Sequence, residues 1–167
     1  MAASVIVKTI CDTTIVINDG TAVTPLTYTV VLEPGNLSFS QPRFTYSDIM
    51  DRCSFAGSRK SGFEAGSISF SVHAVAFTGT AESHLTDMID GRGSYSARVS
   101  TDAGAFDGKV LECVITIGGA ALGDNADNVV TFPKVRFEWD FAEGTPDVIN
   151  VTGTILAAGT FAGGDGS

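Results

Sequence analysis

The chain has 167 residues, 44% apolar and 17% charged, with a net charge of −9. That length argues for one domain with a real core, and the composition excludes a disordered chain. The acidic balance excludes a protein that grips a phosphate backbone or an anionic membrane through its overall field.

Residues 4–10 ("SVIVKTI") and 13–17 ("TTIVI") alternate with period two and read as strands. Asn18-Asp19-Gly20 is a turn signal. Residues 26–33 ("LTYTVVLE") form the next expected strand, closed by Pro34-Gly35, and residues 36–40 follow. Residues 40–66 show no sustained periodicity and read as a long loop, with a short helical turn expected at 47–52. An irregular connection of this length is unusual in a compact domain and often functional. Residues 66–77 alternate cleanly: Ile68, Phe70, Val72 and Ala74 face one way, and Ser67, Ser69, Ser71 and His73 the other.

Residues 80–90 carry the one helical pattern, with Thr80 as cap and Ala81, Leu85, Met88 and Ile89 on one face. Gly91 supplies a left-handed stop. Strands resume at 95–100, 109–117, 128–141 and 147–158, with Pro133 marking an edge or a bend. The expected organisation is a mainly β, antiparallel sandwich or barrel over residues 1–158, with one flanking helix and a flexible tail at 159–167.

Cys11, Cys53 and Cys113 are odd in number and widely spaced, without a C-x-x-C, so reduced thiols of a cytosolic fold are expected. The opening "MAASVIVKTI" lacks the basic and long apolar regions of a secretory signal. No run is long enough to span a bilayer. On that basis the glycosylation patterns at Asn36 and Asn150 read as chance.

Candidate chemistry is thin. Glu138, Asp140 and Glu143 are the residue types of a glycosidase site, but Glu138 and Asp140 sit ~7 Å apart on one strand face. With no matching acid, base and aromatic cradle on a second strand, they read as an ordinary charged exterior. Trp139 alternates with them, beside Phe137 and Phe141, and reads as core. His73 and His84 have no ligand at zinc spacing. "GDNADN" (123–128) has calcium-type oxygens but neither the glycine nor the closing Glu of an EF-hand. No G-x-S-x-G, Walker loop or G-x-G-x-x-G occurs. No enzyme activity, cofactor or metal is expected.

Charge is uneven along the chain. Residues 101–167 hold three basic and ten acidic side chains, a net of −7, whereas residues 41–66 hold four basic and three acidic ones, a net of +1. A basic-leaning segment with Phe44, Tyr46, Phe55 and Phe63 on an acidic chain reads as an arm that docks elsewhere.

The order of elements, and the closing stretch "VRFEWDFAEGTPDVINVTGTI" (135–155), resemble the tail tube proteins of long-tailed bacteriophages and their relatives in contractile injection machines. The resemblance lies in architecture and pattern over most of the chain, not in a short motif. It implies a β-sandwich that forms hexameric rings stacked into a hollow tube, with other tail proteins at the two ends. The long loop would reach the adjacent ring, with Arg43, Phe44, Tyr46, Arg52, Phe55, Arg59, Lys60 and Phe63 as contact residues. Double-stranded DNA would pass through a negative lumen without specific binding, with Glu112, Glu138 and Asp140 as lining candidates and no membrane involved. The location implied is the virion tail, and the host cytoplasm during assembly. Alternative readings are a tail terminator, a head-decoration protein, or a carbohydrate-binding β-sandwich.

Overall fold

The computed structural model describes residues 13–30, 32, 36–74, 77, 83–102, 110–118 and 127–163. The strand expected at 4–10, Cys11, the cap at Thr80, Ala81, most of the 123–128 turn and residues 164–167 lie outside them.

The fold is mainly β and antiparallel. Its strands are β1 (Thr13–Asn18), β2 (Thr27–Val30), β3 (Ser38–Ser40), β4 (Arg43–Asp51), β5 (Ser54–Glu64), β6 (Gly66–His73), β7 (Val110–Ile117), β8 (Asn128–Ala142), β9 (Val148–Ile155) and β10 (Thr160–Ala162). One short helix, α1 (Leu85–Asp90), lies between β6 and β7. The main sheet runs β2-β1-β7-β8-β9-β6-β3, with β10 also on β8; β4 and β5 pair only with each other.

The long strand β8 organises the sheet. Its first part pairs with β7 and β10, and its second part pairs with β9. Val130 and Phe132 are buried, then Val135 and Phe137, so the inward row changes parity between 132 and 135. The pairing with β7 slips at the same place: Cys113 faces Phe132 and Leu111 faces Val135. Pro133-Lys134 is therefore a bulge opposite Glu112, as the missing proline N–H favours. The sheet bends here, and Phe39 of β3 meets Phe132 edge-to-face at 5.6 Å.

Alternating rows from both halves fill one core. Ile15, Ile17, Leu111, Cys113 and Ile115 come from one side, and Ile68, Phe70, Ile149, Val151 and Ile155 from the other. Leu85, Met88 and Ile89 of α1 join the same core. The helix stops at Gly91, whose φ of 68° is left-handed as expected. Arg98 reinforces that end by donating to the Ile89 carbonyl at 2.8 Å.

Four expectations need correction. The helix starts at His84 without a side-chain cap, so only its second half is as read. Residues 95–100 are not a strand. A 3-10 turn at Gly93–Tyr95 turns Tyr95 inward, where its hydroxyl donates to the Thr27 carbonyl at 2.8 Å. Part of the expected flexible tail, Thr160–Ala162, is strand β10, because the first part of β8 has a free edge beyond the end of β9. Residues 43–64 are not an irregular loop with a helical turn but a two-stranded ribbon, β4–β5.

Candidate assembly interface

The ribbon β4–β5 is an arm. All of β4 and nearly all of β5 is exposed. Its root is tight, because Gly66 lies where a Cβ would come within 2.2 Å of the Ser40 carbonyl oxygen. Gln41 Oε1 accepts the Gly159 N–H at 3.2 Å, tying the root to the approach to β10. At the tip, Asp51 faces Ser54 across Arg52 and Cys53, which take φ of 44° and 71°. Two left-handed residues make the tight turn that suits a twisted hairpin, here without the usual Asn or Gly.

Opposed residues share a face, so the register sorts the arm into two faces. One carries Phe44 opposite Phe63, Tyr46 opposite Lys60, Asp48 opposite Ser58, and Met50 opposite Phe55. The other carries Arg43 opposite Glu64, Ser47 opposite Arg59, and Ile49 opposite Gly57. The Phe44 and Phe63 rings touch edge-to-face at 5.6 Å, and Lys60 Nζ sits 4.0 Å from the Phe44 ring centre. On the polar face Arg43 Nε donates to Glu64 Oε2 at 2.6 Å, and this hydrogen bond holds the Glu64 carboxyl below its ordinary pKa.

The expected contact residues thus divide. Phe44, Tyr46, Phe55, Lys60 and Phe63 share one face, Arg43 and Arg59 share the other, and Arg52 is at the tip. Met50 belongs with the aromatic face and was missed, although Phe44, Tyr46 and Met50 alternate in the sequence. Asp48 interrupts that alternation. Extra residues on β5 at the two slips in register, between Thr45/Tyr46 and Ile49/Met50, hide the matching row. A lone two-stranded ribbon is marginal in water, and a row of exposed aromatics marks an interaction surface.

A second surface is the outward face of β8, β9, β6 and β3. Glu138 pairs with Thr152 and Asp140 with Asn150. The face continues through Ser67, Ser69 and Ser71 to Ser38 and Ser40, with hydroxyl contacts of 2.9 Å (Ser38–Ser69) and 3.1 Å (Ser40–Ser67). It is polar, and along β8 two exposed carboxylates, Glu138 and Asp140, follow the half-buried Arg136. Glu138 and Asp140 are together here and exposed. Glu112 lies elsewhere, half-buried on β7 at the level of the bulge.

A third surface was not legible. Trp139, expected in the core, is only half-buried. It stacks on Phe77 at 5.8 Å, and Phe77 also meets Phe141 at 5.3 Å. Phe77 and Phe141 are 43% and 45% exposed.

Among the described residues, no group of three or more His, Cys, Asp or Glu could hold a metal ion, and no helix is long and apolar enough to cross a membrane. No protein-family model matches the chain, and no curated protein is similar to it in sequence. A chain in a solved structure is similar in fold: the cryo-EM structure of the anti-feeding prophage baseplate, 6-fold symmetrised, with a TM-score of 0.58 and 11% identity over 99% of each chain. At that identity the likeness is one of fold, and it spans the sandwich and the arm together.

Proposed function

We propose that this chain is a structural, non-enzymatic subunit of a phage-like injection machine, in which copies of it form six-fold rings that stack into a hollow tail tube. The observation that carries this reading is the aromatic arm, whose two strands pair only with each other among the described residues and stand exposed. The chain similar in fold comes from a six-fold assembly, which supports the same reading. The acidic outward face suits a conduit for double-stranded DNA, since a wall that releases no counterions gains no binding energy from the duplex. Other tail proteins would close the two ends, and the subunit would work in the virion after assembly in the host cytoplasm.

Deletion of the arm tests this. Ser40 and Gly66 already touch, so residues 42–65 can be replaced by an Asn-Gly turn without parting β3 from β6. The expected outcome is an unchanged thermal midpoint, and electron micrographs showing tubes for the wild type but only monomers or unstacked rings for the deletion. Rings that never stack would assign the wild type to a terminator cap. A wild-type protein that stays monomeric at high concentration in any salt would defeat the proposal.

A further inference from the structure

The strand register places the arm and the third surface at opposite ends of the sandwich. Gly66 pairs with Ile155, and Ile155 with Val135; the arm springs from this level. Val72 pairs with Ile149, and Ile149 with Phe141. The two levels are six residues apart on each strand, about 20 Å at the usual rise. Towards the second level the inward row of β8 runs out of the core. Val135 and Phe137 are buried, Trp139 is half-buried and Phe141 is exposed. Phe77 packs over the end of that row.

This aromatic patch is built, not frayed. Trp139 Nε1 donates to Asp90 Oδ2 at 3.2 Å, and the Thr86 hydroxyl donates to the Phe77 carbonyl. Helix α1 therefore holds both sides of the patch in place.

We propose that Phe77, Trp139 and Phe141 form the seat for the aromatic face of the arm from a second copy of this chain. The inference rests on the self-association proposed above and adds the receptor to it. The seat and the arm are both apolar and exposed, and among the described residues no ring contact joins them within one subunit. Their charges are complementary. The arm presents Lys60, with Asp48, on its aromatic face; beside the seat lie Asp90, which also pairs with Arg92, and Glu143, two residues after Phe141. Charge of this kind orients an encounter and sets register. An arm at one end meeting a seat at the other is a head-to-tail contact, which repeats without limit along one axis. Stacked rings require that geometry.

The test uses two full-length variants and their mixture. A seat variant carries Phe77→Ser and Phe141→Ser, keeping Trp139 and its bond to Asp90. An arm variant carries Met50→Ser and Phe55→Ser. All four side chains are exposed, so circular dichroism should match the wild type. Each variant alone should raise the critical concentration for assembly roughly tenfold or more, as loss of buried aromatic anchors does. Mixed in equal amounts, they should form short, capped complexes by analytical ultracentrifugation, because one intact arm then meets one intact seat. A photo-crosslinking benzoylphenylalanine in place of Phe55, with the seat untouched, should attach to the tryptic peptide that follows Arg136. If the seat variant assembles like the wild type while the arm variant fails, the seat is wrong and arm-driven self-association stands. A monomeric wild type would overturn both.

Discussion

Asp19 shows how one side chain can join distant parts of the chain. It is 4% exposed, and its carboxylate accepts the N–H groups of Thr21 at 3.2 Å, Leu26 at 2.8 Å and Val99 at 3.0 Å, and the Thr21 hydroxyl at 2.7 Å. The Asn18-Asp19-Gly20 turn signal is real, but the turn is an eight-residue loop held from within, not a tight hairpin. Burial by itself would raise the pKa of Asp19; the hydrogen bonds from Val99, Thr21 and Leu26 outweigh it and leave the pKa below the ordinary carboxylate value. A lowered folded pKa means stabilisation that is present above about pH 3.9 and lost as pH falls through the folded value. Asp19→Asn should therefore cost on the order of 2–3 kcal/mol at pH 7. The deficit should shrink below about pH 4 as the wild-type carboxyl protonates. Urea unfolding at pH 7, 4 and 3 measures it, and an equal deficit at all three would remove the charge from the explanation.

Among the elements, the arm separates pattern from structure most clearly. Its composition was readable as a docking device: aromatic, basic-leaning, on an acidic chain. Its ribbon form was not, because Asp48 breaks the alternation of β4, extra residues break that of β5, and Arg52-Cys53 gives no turn signal. The register also assigns different work to two neighbouring cations. Lys60 lies on the aromatic face over Phe44, whereas Arg59 lies on the polar face opposite Ser47. Reversing both, Arg59→Glu with Lys60→Glu, should lengthen the lag of assembly followed by light scattering, with the melting profile unchanged. Lys60→Glu alone should account for most of that effect, and 0.5 M salt should narrow the gap from wild type, since exposed charges are screened. An Arg59→Glu effect that equals or exceeds that of Lys60→Glu would show that the polar face docks instead.

At the scale of the whole molecule, polarity is divided between faces and ends. The outward face of β8 and β9 exposes Glu138 and Asp140, the arm leaves at one end, and the aromatic patch of Phe77, Trp139 and Phe141 lies at the other. If rings close with Glu138 and Asp140 on the lumen, Glu138→Lys with Asp140→Lys should convert the wall from repelling duplex DNA to retaining it. Retention should fall steeply as salt rises, while wild-type tubes retain none. Filter binding on assembled protein at 50 mM and 300 mM salt reads this. Variant tubes that form normally and still ignore DNA would place the two carboxylates away from the channel.

The sequence by itself determined the class of fold, the inward row of β6, the left-handed stop at Gly91, the bend at Pro133 and the acidity of the C-terminal part. These are local properties: alternation, a φ requirement, a missing N–H and a count of charges are all written in neighbouring residues. Only the tertiary structure decided that Asp19 reaches Val99, that 160–162 adds a strand to β8, that β4 and β5 pair in a register that sorts their side chains into two faces, and that Trp139 and Phe141 emerge from the core to meet Phe77. Each of these depends on where strands far apart in sequence end relative to one another. The period of two says which way a side chain points; it does not say where the core stops, and at this chain's two ends that limit separates buried from available.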